Sequence, residues 1–136
     1  MDLTQAGNFL REQHRAVLAT YHRDGRAQLS PVTCGVDDEG RVLVSTRETA
    51  VKTRNLRRDP RASLCVITPE FFGPWLLIEG EAEVVALPEA LELLVDYYRR
   101  ISGEHPDWAD YRAAMVRDRR VLVRITMRRV GPTVQG

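Results

Sequence analysis

Lysine is almost absent from this chain: of 20 basic residues only Lys52 is a lysine. Cysteine is scarce as well. Cys34 and Cys65 lie far apart, without metal-ligand or redox spacing, and read as reduced thiols near a core. His14, His22 and His105 are scattered, none with a Cys or His neighbour at ligand distance, so no metal site is expected. The chain has no glycine-rich phosphate loop, no dinucleotide fingerprint, no nucleophile elbow and no Ser–His–Asp order. No apolar run approaches membrane-spanning length, and the N-terminus carries Asp2 with no apolar stretch behind it. These absences lead us to expect a cytoplasmic protein with no membrane partner. The net charge is +1, and no aromatics interleave with the arginines, so no nucleic-acid partner is expected. Without repeats, linkers or low-complexity tracts, residues 1–136 read as a single domain.

What is present is mostly strand. At 43% hydrophobic the chain can form a core, though a small one that a second subunit would help to cover. A short helix over 2–13 has Leu3, Ala6, Phe9 and Leu10 on one face. Ala16–Tyr21 reads as a strand, Asp24–Gly25 as a hairpin turn, and Arg26–Val36 as the return strand. Pro31 gives that strand an edge position or a bulge. Further strands are expected over 41–46, Ala62–Thr68, Trp75–Val85 and Val121–Thr126. Glu79, Glu81 and Glu83 alternate with Ile78, Ala82 and Val84, as in a half-buried wall, and face solvent rather than forming an acid/base pair. Pro88 starts a helix with Leu91, Leu94, Val95, Tyr98 and Ile101 on its apolar face, and Gly103 stops it. Asp107 caps a further helix carrying Trp108, Tyr111 and Met115.

The stretch 45–61 is the most informative. Strand, cap, short helix and stop follow in order, with Thr46 or Thr49 as the expected cap and Pro60 as the stop. Val51 and Leu56 can face the core. Lys52 falls in or near the first helical turn, against the usual preference for carboxylates at a positive helix end. A lysine suits that place when an anion sits between it and the free backbone N–H groups. Lys52, Asn55 and Arg58 are three apart and form one drifting stripe. Arg54, Arg57 and Arg61 read as a solvated basic face.

Four segments carry a family resemblance: Val17-Leu-Ala-Thr, Asp24-Gly-Arg-Ala-Gln-Leu-Ser-Pro-Val, the run from Lys52 to Ser63, and Gly103-Glu-His-Pro-Asp-Trp-Ala-Asp-Tyr-Arg. In this order and spacing the chain resembles the pyridoxamine-phosphate-oxidase-like split-barrel flavin proteins over about Val17 to Val130. Within them it is most similar to the actinobacterial branch that uses a deazaflavin, coenzyme F420.

The resemblance implies a mostly β fold, a split β-barrel of about six strands with flanking short helices. It also implies a homodimer with cofactor sites at the interface. The expected cofactor is F420, with FMN as the alternative. The expected activity is hydride transfer from the reduced deazaflavin to a small unsaturated or quinone-like molecule, the protein supplying geometry rather than catalytic groups. A non-catalytic cofactor carrier is the reading from a different class. By the same resemblance Lys52 pairs with a tail phosphate, helped by Ser45, Thr46 and Asn55. Gln28, Ser30 and Val32 border the ring, Arg58 supports the acidic tail, and Trp75 belongs to a loop that closes a site on the neighbouring subunit. No catalytic residue is assigned; His105 and Tyr111 are the nearest candidates for a proton donor. The chain departs from the family pattern in one place. Relatives often carry an arginine two residues before the lysine; here that residue is Ala50, with Arg47 the nearest substitute. Vitamin B6 oxidation is not expected, because no histidine follows His105.

Overall fold

A computed structural model describes residues 1–132. Its elements in chain order are α1 (Leu3–Glu12), β1 (Arg15–Tyr21), β2 (Ala27–Val36), β3 (Val42–Arg47), α2 (Val51–Arg58), β4 (Arg61–Ile67), β5 (Trp75–Val85), α3 (Ala90–Ser102), α4 (Trp108–Arg117) and β6 (Arg120–Gly131). The six strands close a barrel in the order β1-β2-β3-β6-β5-β4, every neighbouring pair antiparallel.

Inward-facing residues fill the barrel. Leu18, Val42, Val44, Leu64, Val66, Leu76, Ile78, Val123 and Ile125 are buried together, and Ala6 and Leu10 of α1 join them. α1 is held by a reciprocal cap: Asp2 accepts from the Gln5 backbone, and the Gln5 side chain accepts from the Asp2 backbone. A second cluster lies outside the wall, where Leu94, Val95 and Tyr111 of α3 and α4 cover Leu43 and Leu122. Burial of each such side chain contributes about 1.5–3 kcal/mol.

The β2–β3 ladder is the short one. It pairs only Cys34–Val36 with Val42–Val44, so residues 27–33 have β1 on one side and nothing laddered on the other. Pro31, which has no N–H to give, falls in that one-sided stretch, opposite Val17. The edge position expected of Pro31 therefore occurs inside a closed barrel, because two strands part before their ends.

Several sequence expectations need correction. The last strand runs on past Thr126 to Gly131, because β5 continues to offer partners as far as Leu77. Pro88 lies in a turn, and α3 starts at Ala90. Neither Thr46 nor Thr49 caps α2. Thr46 is buried in β3 and Thr49 lies in the intervening turn, so the cap position falls to Ala50, which has no side chain to offer. Val51 is 44% exposed, and Leu56 alone of the expected pair is buried. By contrast, the expected Glu79–Glu83 alternation holds, with Ile78 buried, Ala82 and Val84 packed on the core and Glu81 and Glu83 exposed, while the pairing with β6 shifts register between Glu79 and Gly80.

That irregularity depends on glycine. A Cβ at Gly80 would stand 2.1 Å from the Thr126 carbonyl oxygen, which is held in the facing strand. We expect Gly80→Ala to destabilise the fold by about 1–3 kcal/mol, as overpacking does. Urea unfolding checks this; an unchanged midpoint would show that the two strands can separate locally without cost.

Candidate functional site

Where β2 and β3 part, an open groove of about 380 Å³ forms. Its wall is Pro31, Val32 and Thr33 of β2, Ser45 and Thr46 of β3, and Arg120 of β6. Lys52 enters from α2, and Tyr97, Tyr98, Tyr111 and Met115 lean in from α3 and α4.

The Tyr97 hydroxyl sits across the parting of the strands. It donates to the Thr33 carbonyl oxygen at 2.8 Å, taking up an acceptor that the short ladder leaves open. Burial pushes its pKa up to about 12, against a backbone hydrogen bond from Ser45 that lowers it, so the group stays a neutral donor across the physiological range. Tyr111 is tied in the same manner, its hydroxyl donating to the Leu94 carbonyl oxygen at 2.8 Å.

Helix α2 is fastened on three sides, and this fixes Lys52. Thr53 Oγ1 donates to the Arg47 carbonyl oxygen at 2.6 Å. Asn55, only 3% exposed, donates from Nδ2 to Thr20 Oγ1 of β1 at 3.1 Å, and Leu56 is buried beside it. The helix has no side-chain cap and no acidic residue in its first turn. Its first backbone N–H groups therefore lack an intrahelical acceptor, with Lys52 among them.

The electrostatics of the groove are one-sided. Two cations, Lys52 and Arg120, line it, and no carboxylate does. Most arginines of this protein hold a carboxylate, for example Arg41 with Asp37, Arg57 with Glu48 and Arg124 with Glu83. Among the described residues neither Lys52 nor Arg120 does, and Arg120 Nε is buried without any hydrogen-bond partner. The groove is therefore net cationic, beside a wall that is partly apolar.

The sequence-derived residues distribute unevenly. Val32, Ser45, Thr46 and Lys52 meet in the groove. Gln28 lies further along β2, its side chain bonded to His22 at 3.0 Å. Ser30 has a buried Oγ with no partner and does not line the groove. Asn55 is an anchor beneath α2, and Arg58 donates to the Tyr21 carbonyl oxygen and to Asn55 Oδ1. Trp75 lines a different, apolar hollow of about 700 Å³ with Phe71, Phe72 and Met1. His105 stacks among Tyr98, Trp108 and Tyr111 and accepts from the Asp107 N–H at 2.9 Å. Tyr97, Tyr98, Met115 and Arg120 escaped the sequence reading as groove residues. Only an i, i+1 tyrosine pair late in an amphipathic helix hinted at them.

Two other features carry no comparable chemistry. The cleft of about 180 Å³ between Asp37, Asp38, Arg41, Asp96 and Arg100 is occupied by its own ion pairs. Burial pushes the Cys34 thiol to about 12, so it is inert. Among the described residues no His, Cys, Asp and Glu side chains gather to hold a metal, and no helix is long and apolar enough to cross a membrane.

We expect Tyr97→Phe to lower stability by about 1 kcal/mol, the net worth of one hydrogen bond. The amides of Val32 and Thr33 should then exchange hydrogen faster than in the parent. Equal exchange would mean that Tyr97 does not hold the parted strands.

With this geometry in view, comparison with known proteins is informative. The family model described as pyridoxamine 5'-phosphate oxidase matches residues 4–133. Among solved structures, a conserved hypothetical protein from Mycobacterium tuberculosis, Rv2991, is similar at a TM-score of 0.78 and 29% identity, covering 100% of this chain and 93% of that one. An F420 reductase from Mycobacterium smegmatis is similar at a TM-score of 0.70 and 21% identity, covering 91% and 94%. A heme binding protein from Mycobacterium smegmatis matches at 0.71 and 20%, over 96% of this chain and 53% of its own. The last two likenesses speak to the fold alone.

Proposed function

The chain belongs to the pyridoxamine 5'-phosphate oxidase family, and we propose that within it this protein is an F420-dependent oxidoreductase. Its substrate would be a small unsaturated or quinone-like molecule. The observation that carries the reading is the groove with two cations and no carboxylate, set against a parted strand. An anionic, ring-bearing cofactor suits both halves of that arrangement. The deazaflavin, when bound, supplies the hydride.

The protein's own residues then have simple tasks. Lys52 and the uncapped start of α2 bind a tail phosphate, with Ser45 and Thr46 alongside. Pro31–Thr33 present an edge of backbone and apolar side chains to the ring. Tyr97 is held to Thr33 and so keeps the wall in place. No acid is assigned; solvent can deliver the proton through so open a groove.

FMN is the second reading, and one observation favours it. Arg57 and Arg58 are engaged with Glu48 and the Tyr21 carbonyl oxygen, which leaves fewer arginines for an acidic glutamyl tail. Ala50, at the cap position, contributes nothing to a tail either, and Arg47 is exposed at the end of β3.

Titration with F420 and with FMN, each followed by cofactor fluorescence, separates the two. Tight deazaflavin binding with weak FMN supports the first reading; neither bound at micromolar concentration would end both. In a folded Lys52→Ala variant the affinity should fall by about 1.5–3 kcal/mol, the worth of a hydrogen bond to a charged group. Turnover of any substrate with reduced cofactor would dispose of the carrier alternative.

A homodimer is part of the proposal. The outward face of β1, β2 and β4 carries an apolar strip, with Leu29 63% exposed and Val17 beside Pro31 and Cys65 in register. A second copy of the chain would cover it, and the Phe71–Trp75 loop, with Phe72 97% exposed, would close over the neighbour's groove. Leu29→Asp should then shift the protein to the monomer in light scattering after size exclusion. A wild-type monomer at working concentration would remove this part.

A further inference from the structure

The groove holds a cation that the tail-phosphate reading does not use. Arg120 opens β6, directly opposite Arg47 of β3 in register. The preceding residue, Arg119, has φ 53, and its carbonyl oxygen accepts from the Glu48 N–H at 2.9 Å, which fixes where the strand begins. Arg120 therefore enters the groove from β6, whereas Lys52 enters from α2.

The contrast with its neighbour on the same strand is instructive. Arg124 also leans along the outside of the barrel and is only partly exposed, and it takes Glu83 at 2.6 Å. Arg120 has no such partner, and its Nε is sealed from water with no acceptor. The hydroxyls of Tyr97 and Tyr111, both close enough to feel its charge, donate their protons to Thr33 and Leu94 carbonyl oxygens. Both cations that line this cavity are thus without a carboxylate partner among the described residues. A guanidinium is shaped to grip two oxygens of one acid group, which an ammonium is not.

We infer that Arg120 is a second anion-binding residue of this groove, so that the site takes a ligand with two anionic groups, one at Lys52 and one at Arg120. This rests on the cofactor reading for the identity of the ligand, but not for the existence of the site.

The test uses inorganic pyrophosphate and inorganic phosphate as probes in calorimetric titrations at constant ionic strength. Wild-type protein should bind pyrophosphate more tightly than phosphate. Arg120→Met should weaken pyrophosphate about tenfold, the scale of one charge-assisted contact, and Arg120→Lys should recover part of the loss. Wild-type pyrophosphate affinity in Arg120→Met, or in Arg120→Gln if the first variant does not fold, overturns the inference. So does wild-type protein that fails to bind pyrophosphate at millimolar concentration. The F420 and FMN titrations, repeated on the same variants, keep the two claims apart. Neither cofactor bound, with pyrophosphate still dependent on Arg120, ends the cofactor reading and upholds the two-cation site. Cofactor binding that needs Lys52 but is indifferent to Arg120 does the reverse.

Discussion

The brief pairing of β2 with β3 is the constraint on which the site depends. After three residue pairs the strands separate, and the sheet that is continuous elsewhere in the barrel opens. Backbone groups freed in this way must find partners. Tyr97 supplies one of them from α3, and the opening becomes a groove with a fixed wall rather than a frayed edge. Proline at position 31 fits the same scheme, because a residue without an N–H loses nothing where no second strand is laddered.

Charge placement follows from how α2 is fastened. Thr53, Asn55 and Leu56 use the inward side of the helix for anchoring, so Lys52 is left at the groove. Elsewhere the basic residues of this arginine-rich chain are largely neutralised by nearby carboxylates, many of them on the surface, where such pairs contribute little to stability. In the groove two cations, unpaired among the described residues, share one cavity, and one of them, Arg120, has its Nε buried without a partner. It is this shared cavity without a carboxylate, more than the number of basic residues, on which the proposed anion site rests.

Legibility from sequence was high where the signal was local. Asp24–Gly25 as a turn, the strand periods, the amphipathic α3 and the short helix carrying Lys52 all follow from a few neighbouring residues, and the six strands occur where expected to within a few positions. Ser45, Thr46 and Lys52 lie within one strand–turn–helix unit, so their meeting was readable. Val32 was reached only through the family resemblance. The stripe Lys52, Asn55 and Arg58 was less informative. Spacing of three drifts around a helix, and here it drifts from the groove through a buried anchor to an exposed side. The cap of α2 was misread because two threonines precede the helix, and only the end of β3 shows that neither is in the cap position.

The sequence by itself determined the kind of protein: a small, mostly β chain with little catalytic equipment of its own and one lysine at the head of a short helix. Those properties are set by composition and by backbone periods that span a handful of residues. Only the tertiary structure decided where β2 leaves β3, that Tyr97 crosses to Thr33, and that Arg120 shares a cavity with Lys52. These are consequences of register and of helices laid on the outside of the barrel. No local pattern can specify them, because each joins residues whose neighbourhood exists only once the barrel has closed.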